Sequence, residues 1–515
     1  RRDLLITIIP CMSLKQMYDA IIFTEVSNYH FPVKTIGAYK IAQSMRQKGY
    51  KVKVINNFLE VWDNHREDLI FWIKDILKPD AKFIGISGTF ASGPTHIKKE
   101  YNFGTILKDS PWNTFNLFLD DMKEFFPNVP IVLGGHTKAS RNIFDKLKDS
   151  KIDYWVDGIA EESIHKFLNE KEPPQRFRYD ILGLTHDFHN SKPVYTNEDG
   201  VMPHEVLPFE MSRGCRFKCS FCSFPLLGKN PKDNKYIRSE QSIYDELKSN
   251  YENFGVTKYN MLCDTFNETT EKIEMLCRVQ DKLKINIKFS SYLRVDLLHA
   301  HKEQIPLLHE AGLNSCHFGL ESFNYESAKS IGKGLRPEKI KETLSLCKET
   351  WGDDVLTNAG FITGLPHETM DTMNSWCQDL LDGEYKLDTW YLTTLGFMNQ
   401  GKAVDEYAYS SDFEKDPAKY GYTLSKDGKW DNGNFKQRDA SAFAESWRNK
   451  WEHKIKIGSW HAMGLQSYNI YDEFYWDDIR KLKRKDIDSP PAALRQKLES
   501  LKTRYIRDYW NRVST

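Results

Sequence analysis

The 515-residue chain has no excess of charge: 72 Lys and Arg stand against 72 Asp and Glu. A balanced chain lacks the field that would hold it to bulk nucleic acid or an anionic membrane, so partners of that kind are excluded beyond a local patch. It also lacks an apolar run of about 18 residues, which a membrane-spanning helix needs. A mean hydropathy of −0.59 likewise excludes a multi-span membrane protein. No internal repeat or low-complexity tract is present, and an aromatic content of 13% argues against wholesale disorder. An export signal is missing as well. The apolar run after Arg1 and Arg2 covers only Leu4–Ile9, stops at Pro10 and has no small-residue cleavage site behind it, so it reads as a β-strand. The first residue is Arg1 and not Met, which suggests a truncated or processed start; the expected location is cytoplasmic.

A secreted disulfide framework is absent too. There are nine cysteines, an odd number. Six are scattered (Cys11, Cys263, Cys277, Cys316, Cys347, Cys377), while Cys215, Cys219 and Cys222 are crowded together. That distribution fits a reducing compartment and one metal site rather than paired bridges.

What is present is alternation. Residues 1–175 place short apolar strands (Lys51–Ile55, Phe83–Ser87, Pro130–Gly135, Tyr154–Gly158) between helical patterns (Thr35–Lys48, Thr114–Phe126, Glu161–Leu168). Strands separated by helices predict a doubly wound parallel α/β sheet, with ligands beyond the carboxyl ends of its strands. Residues 176–205, with Pro193 and Pro203, read as a linker or as an ordered loop packed on both neighbours. Over 206–400 the alternation resumes with six β/α units, two short of a closed eight-fold barrel. This predicts a partial (β/α)6 barrel whose chemistry lies on loops at the strand C-termini. Residues 401–515 are expected to be a mainly helical accessory region, with helices near Ser441–Ile455 and Pro491–Trp510. Its tryptophans read mostly as core, and the basic run Arg480–Lys485 reads as a solvated face.

The cysteines fall in Met211-Ser212-Arg213-Gly214-Cys215-Arg216-Phe217-Lys218-Cys219-Ser220-Phe221-Cys222. Thiolates suit zinc or iron–sulfur centres. Structural zinc takes four ligands, and no fourth Cys or His follows closely. Three thiolates can instead hold three irons of a cubane and leave the fourth open to substrate or cofactor.

CxxxCxxC on the loop after the first strand of a partial barrel, with aromatic Phe221 before the third cysteine, resembles the radical S-adenosylmethionine (SAM) superfamily. Further resemblances are Gly319-Leu320-Glu321-Ser322 at the end of the fourth barrel strand, the following Gly332-Lys333, and Gly360 to Pro366 on the fifth strand. Cys263-Asp264-Thr265-Phe266 on the second strand and Ser291-Tyr292-Leu293-Arg294 on the third add to them. The resemblance implies a 4Fe–4S cluster on Cys215, Cys219 and Cys222. It implies SAM lined by Phe221, Asp264, Arg294, Glu321, Gly360 and Gly364. The open iron would chelate SAM, and reductive cleavage would give a 5′-deoxyadenosyl radical that abstracts hydrogen from an unactivated C–H bond. It further implies a small-molecule or peptide substrate and an electron donor such as flavodoxin or ferredoxin. Plainer roles are also open: Glu321 as a cap, Arg294 paired with Asp296, the glycines as packing positions, Cys263 as a buried apolar residue.

The N-terminal domain resembles the cobalamin-binding domain of one radical SAM class. Matching pieces are Pro32 to Gly37, Ser87-Gly88-Thr89, Gly134-Gly135 and Asp157-Gly158-Ile159-Ala160-Glu161-Glu162. The resemblance implies cobalamin near Ser87, Gly88, Thr89, Gly134, Gly135 and Gly158, and methylation as the reaction. The DxHxxG cobalt-ligand motif is absent; His30 lies near the right loop without that spacing. A cobalamin-free radical SAM enzyme (rearrangement, ring formation or oxidation) and a cluster-containing corrinoid or redox sensor are the alternatives.

Overall fold

The computed structural model describes residues 16–25, 33–87, 111–134, 150–180, 183–222, 232, 235–397 and 411–515. The Leu4–Ile9 segment, Cys11, His30, Gly88, Thr89 and Gly135 lie outside these described residues.

Two six-stranded parallel sheets organise the chain. The first contains β1 (Ala20–Thr24), β2 (Val52–Asn56), β3 (Phe83–Ser87), β4 (Ile131–Gly134), β5 (Tyr154–Asp157) and β6 (Arg176–Arg178), in the order β2-β1-β3-β4-β5-β6. Around it pack α1 (Ile36–Gln47) beside α4 (Ala160–Asn169), and α2 (Phe58–Ile76) beside α3 (Pro111–Phe125). Alternation along β1 sends Ile22 into one core with Ala38, Tyr39, Ala42 and Met45, and Ile21 and Phe23 into a second with Leu69, Trp72 and Ile73. Both faces are therefore covered, as a parallel sheet requires.

Two of these elements carry no clear sequence signal. β1 is a short apolar run without alternation, and α2 is interrupted at His65, whose φ of −138° breaks the helical period. The described part of 176–205, read from the sequence as a linker or as a packed loop, packs on the first sheet. It begins as β6, Arg46 then clamps both carboxylate oxygens of Asp199 at 3.1 and 2.8 Å, and Tyr195 packs on Tyr39 at 4.8 Å.

The second sheet contains β7 (Val206–Phe209), β8 (Lys258–Met261), β9 (Lys288–Leu293), β10 (Leu313–Glu321), β11 (Leu356–Thr363) and β12 (Thr389–Thr394), each beside its neighbour in sequence. This is the expected open (β/α)6 barrel. Its main helices are α5 (Glu240–Phe254), α6 (Thr270–Leu283), α7 (Val295–Ala300), α8 (Gln304–Glu310), α9 (Tyr325–Ser330), α10 (Pro337–Trp351) and α11 (Met370–Leu381). Ser239, Thr269 and Thr369 cap α5, α6 and α11 by accepting from backbone amides of their first turns.

The C-terminal region ties the molecule together. The short hairpin of β13 (Thr423–Leu424) and β14 (Trp430–Asp431) precedes α12 (Gln437–Trp451), which packs on β11 and β12. Next, α13 (Ser459–Gln466) packs against β9, β10 and β11. Last, α14 (Ala492–Val513) returns to α2 of the first domain. The Asn56 amide donates to the Tyr509 hydroxyl at 2.7 Å, and the Tyr505 hydroxyl donates to Glu205 at 3.0 Å. Glu205 also pairs with buried Lys34 at 3.2 Å.

Trp430 donates its indole N–H to the Leu395 carbonyl at 2.7 Å and lays its ring over Gly364. A Cβ on Gly364 would stand 2.3 Å from that ring, and its φ of +97° disfavours any side chain. Gly364→Ala is therefore expected to destabilise the fold by about 1–3 kcal/mol in urea denaturation. A loss below about 0.5 kcal/mol would show that Trp430 does not hold this position.

Candidate active site

The cysteine segment is an excursion from the carboxyl end of β7, closed at its base. Ser212 bridges Ile237 in antiparallel fashion. The Arg213 amide donates to the Tyr236 carbonyl at 3.0 Å, and the Arg238 amide donates to the Met211 carbonyl at 2.8 Å. Buried Arg238 fastens this base to α5 by pairing with Glu246 at 2.5 Å, and it also donates to the Glu210 carbonyl at 2.9 Å. Farther out, the Cys222 amide donates to the Cys219 carbonyl at 2.9 Å, making a turn between the second and third cysteines. Ser220 donates through both its amide and its hydroxyl to the 330–331 loop, at 3.3 Å each. All three cysteines are half-buried.

Two side-chain partners of the cysteines come from other barrel strand ends. Cys215 Sγ lies 3.4 Å from the Thr265 hydroxyl behind β8, and burial pushes its thiol up. Arg294, at the end of β9, donates from Nη1 to Cys219 Sγ at 3.2 Å. Its other nitrogens grip Asp296 at 3.0 and 2.7 Å, and the guanidinium lies 4.2 Å from the Phe217 ring centre. Burial works against its charge, yet Asp296 and Cys219 raise its pKa. Arg294 thus pairs with Asp296, as one reading of the sequence had it, and also reaches the cysteine loop.

This donor set suits an iron–sulfur cluster. Its three thiols, Cys215, Cys219 and Cys222, are the ligand type that holds such clusters. Donors to the ligating sulfurs, such as the Arg294 N–H, are the usual means of tuning such clusters.

The remaining expected residues are placed individually. Glu321, at the end of β10, pairs with Lys333 at 3.1 Å. Lys333 also donates to the Gly319 carbonyl. A side chain at 319 would collide with both groups, so the glycine leaves room for the pair. Glu321 has a φ of +68°, a backbone strain of about 1–3 kcal/mol for a non-glycine residue, and the cap of the helix that follows is Asn324 and not Glu321. Burial, with Glu210 nearby, pushes Asp264 up to about 7; its carboxylate takes the Gly214 amide. Phe221 packs partly buried on the core. Gly360 lies under His317 and Tyr391, and Gly364 under Trp430. Cys263 is fully buried.

The N-terminal sheet has its topological switch between β1 and β3, where such folds bind ligands. Ser87 and Gly134 stand at the carboxyl ends of β3 and β4, as expected. Gly158 has another constraint: a Cβ there would lie 1.7 Å from the Tyr179 carbonyl oxygen.

A buried ion cluster that the sequence does not announce joins the two sheets. Glu210, just past β7, accepts from Arg213 at 2.9 and 3.1 Å and pairs with Lys40 of α1. Arg213 also donates to Glu161, in the first turn of α4, at 2.9 Å. His186 stands 3.8 Å from Glu161, and Phe188 lies under both cations at 4.9 Å. Burial opposes ionisation of Glu161, but Arg213, His186 and Lys40 outweigh it and lower its pKa to about 2. Since α4 starts at the carboxyl end of β5 and Glu210 follows β7, the cluster ties the carboxyl end of β5 to that of β7.

Residues 209–380 match the Radical SAM superfamily. The chain is 24% identical over 345 residues to an uncharacterized methyltransferase of Pyrococcus horikoshii, covering 64% of this chain and 70% of that protein. It is 26% identical over 186 residues to an anaerobic magnesium-protoporphyrin IX monomethyl ester cyclase of Cereibacter sphaeroides, covering 36% of this chain and 29% of that protein. In structure it is similar to the radical SAM methyltransferase TsrM from Kitasatospora setae, solved with cobalamin and a 4Fe–4S cluster. The TM-score is 0.59 at 12% identity, covering 95% of this chain and 100% of that one. It is also similar to the cobalamin-dependent radical enzyme OxsB, with a TM-score of 0.50 at 14% identity over 96% of this chain and 72% of that one. At such identities the structural likeness is one of fold. Among the described residues no helix is long and apolar enough to cross a membrane. With its cysteine loop and its open barrel, the chain carries a radical SAM domain over residues 209–380, preceded by a parallel α/β sheet, and its fold as a whole is similar to that of TsrM and OxsB.

Proposed function

We propose that this protein is a cobalamin-dependent radical SAM methyltransferase acting on an unactivated carbon of a small molecule. The observation that carries the reading is the Glu210–Arg213–Glu161–Lys40 cluster, which ties the carboxyl end of β5 in the first sheet to that of β7, where the cysteine loop begins. A methyl donor on the carboxyl edge of the first sheet and a radical generator on the loop would share one gap. The names of the Pyrococcus relative and of TsrM support the choice of methylation.

In this reading Cys215, Cys219 and Cys222 hold the 4Fe–4S cluster, and Arg294 steadies Cys219. Glu321, fixed by Lys333, takes polar groups of SAM, with Phe221, Asp264, Gly360 and Gly364 around it. Ser87 and Gly134, with Gly88, Thr89, Gly135 and Gly158, border the corrinoid. Bound there, these cofactors supply one-electron cleavage of SAM and a transferable methyl group. The chain's own residues orient them, and α12–α14 close the remaining sides against water.

The test is anaerobic reconstitution with iron, sulfide and hydroxocobalamin, followed by reductant and SAM. About four irons and about one cobalt per chain are expected, with 5′-deoxyadenosine formed. Iron without retained cobalt would favour the cobalamin-free enzyme; an intact cluster that leaves SAM uncleaved would overturn the enzyme reading. Arg294→Met should lower the rate of 5′-deoxyadenosine formation by about 10–100-fold, the range for losing a partner of a metal ligand. An unchanged rate would detach Arg294 from the cluster.

A further inference from the structure

The barrel interior holds a second set of polar groups, one layer below the Glu321–Lys333 pair. His317 lies two residues before Gly319 on β10, so the two share a strand face; a register shift follows Gly319, and Glu321 beyond it brings its carboxylate back over Gly319. In register, His317 is beside Tyr292 of β9 and Asn358 of β11, and Gly360 is beside Tyr391 of β12. His317 crosses β11 to reach Tyr391: Nε2 lies 3.2 Å from the phenol oxygen. A glycine at 360 leaves room for this, because a Cβ would sit 3.0 Å from both Nε2 and the hydroxyl and press on each. Asn358 Nδ2 stands 2.9 Å from His317 Nδ1.

With the Asn358 amide oriented so that Nδ2 meets Nδ1, Asn358 donates to the ring, which assigns the ring proton to Nε2, facing the Tyr391 oxygen. The Tyr391 proton is then left for an acceptor other than His317. Burial, and to a lesser degree Lys333, lowers His317 to about 3, so the imidazole is neutral. Two further observations point to a ligand. Asn358 is only 6% exposed, yet its Oδ1 has no hydrogen-bond partner. Tyr292, in edge contact with His317, is 52% exposed although it lies on a central strand, so its ring borders open space. Glu321 and Lys333 neutralise each other, and the further charges felt here are of opposite sign, Asp264 toward Tyr292 and Arg484 toward Tyr391.

We propose that this layer is the substrate site, taking a planar, uncharged ring that stacks on Tyr292 and accepts a hydrogen bond from the Tyr391 hydroxyl. His317 and Asn358 are positioning residues that aim that hydroxyl. The proposal rests on the radical SAM reading only in calling the ligand a substrate; the binding chemistry stands on the residues themselves.

The probes are three bicyclic rings: carbostyril (planar, uncharged, with a ring carbonyl), naphthoate and naphthylmethylammonium. Each is titrated by saturation-transfer NMR against the full chain, with and without reconstitution. Carbostyril is expected to bind and the two ions are not. Tyr391→Phe should weaken carbostyril about tenfold, the worth of one strong hydrogen bond. Gly360→Ala, which wedges His317 and Tyr391 apart, should do the same. His317→Leu should match Tyr391→Phe, while His317→Gln, which keeps a donor for the phenol oxygen, should restore part of the affinity. Melting temperature identifies any variant that misfolds, and the four variants make the test independent of any one. Equal binding to wild type and all four variants, tighter binding of either ion, or no binding of carbostyril would overturn the proposal. A wild type that binds carbostyril through Tyr391 but cleaves no SAM would sink the enzyme reading and leave this site standing.

Discussion

Cys219→Ala is expected to abolish SAM cleavage. In the reconstituted protein 5′-deoxyadenosine formation should fall by more than about 100-fold, exceeding the effect of removing a ligand's outer partner. Iron content should fall with it, because a cubane held by two thiolates lacks its third protein anchor. Cys215→Ala and Cys222→Ala should behave alike, since the three act as one unit. Cys347 is the control: it is buried in α10, away from the loop, and Cys347→Ala should keep its iron. Full turnover by any of the three loop variants would contradict their assignment as ligands.

The second large effect concerns the joint between the sheets. Glu210→Ala removes the carboxylate shared by Arg213 and Lys40 and leaves two buried cations facing Glu161 alone. Breaking a buried pair from one side costs about 3–5 kcal/mol. That should be measurable in guanidinium unfolding, and it should loosen cobalt retention if the gap holds a corrinoid. The pH dependence has a definite sign. Glu161 is lowered from 4.5 to about 2 in the fold, and Glu210 lies lower still. Their stabilisation is complete above the unfolded carboxylate value and is lost as pH falls from about 4.5 toward 2. Wild type should therefore lose more stability than Glu210→Ala across that window. Parallel curves would mean that the cluster contributes nothing to the joint.

The further site is the least visible in sequence. His317 and Asn358 lie in otherwise ordinary strands, and nothing marks Tyr391. Arg213 is next to the motif, but its carboxylate partner Glu161 lies 52 residues away in another domain. Pairings at such separations are properties of packing, and local patterns carry no record of them.

The sequence by itself determined the alternation of strands and helices, the open six-unit barrel and the thiol loop, because periodicity and ligand spacing are local. It also carried the motifs at the strand ends, Asp264, Arg294, Glu321 and Gly360 among them. Tertiary structure decided which groups meet. It put Arg294 on Cys219, Lys333 on Glu321 and Trp430 over Gly364. It fastened the last helix onto the first domain and paired Arg176–Arg178 with β5 of the first sheet. It also tied the carboxyl ends of β5 and β7 together through buried charges. Those outcomes depend on contacts between segments far apart in the chain, where burial makes each unpaired charge costly and so selects one arrangement.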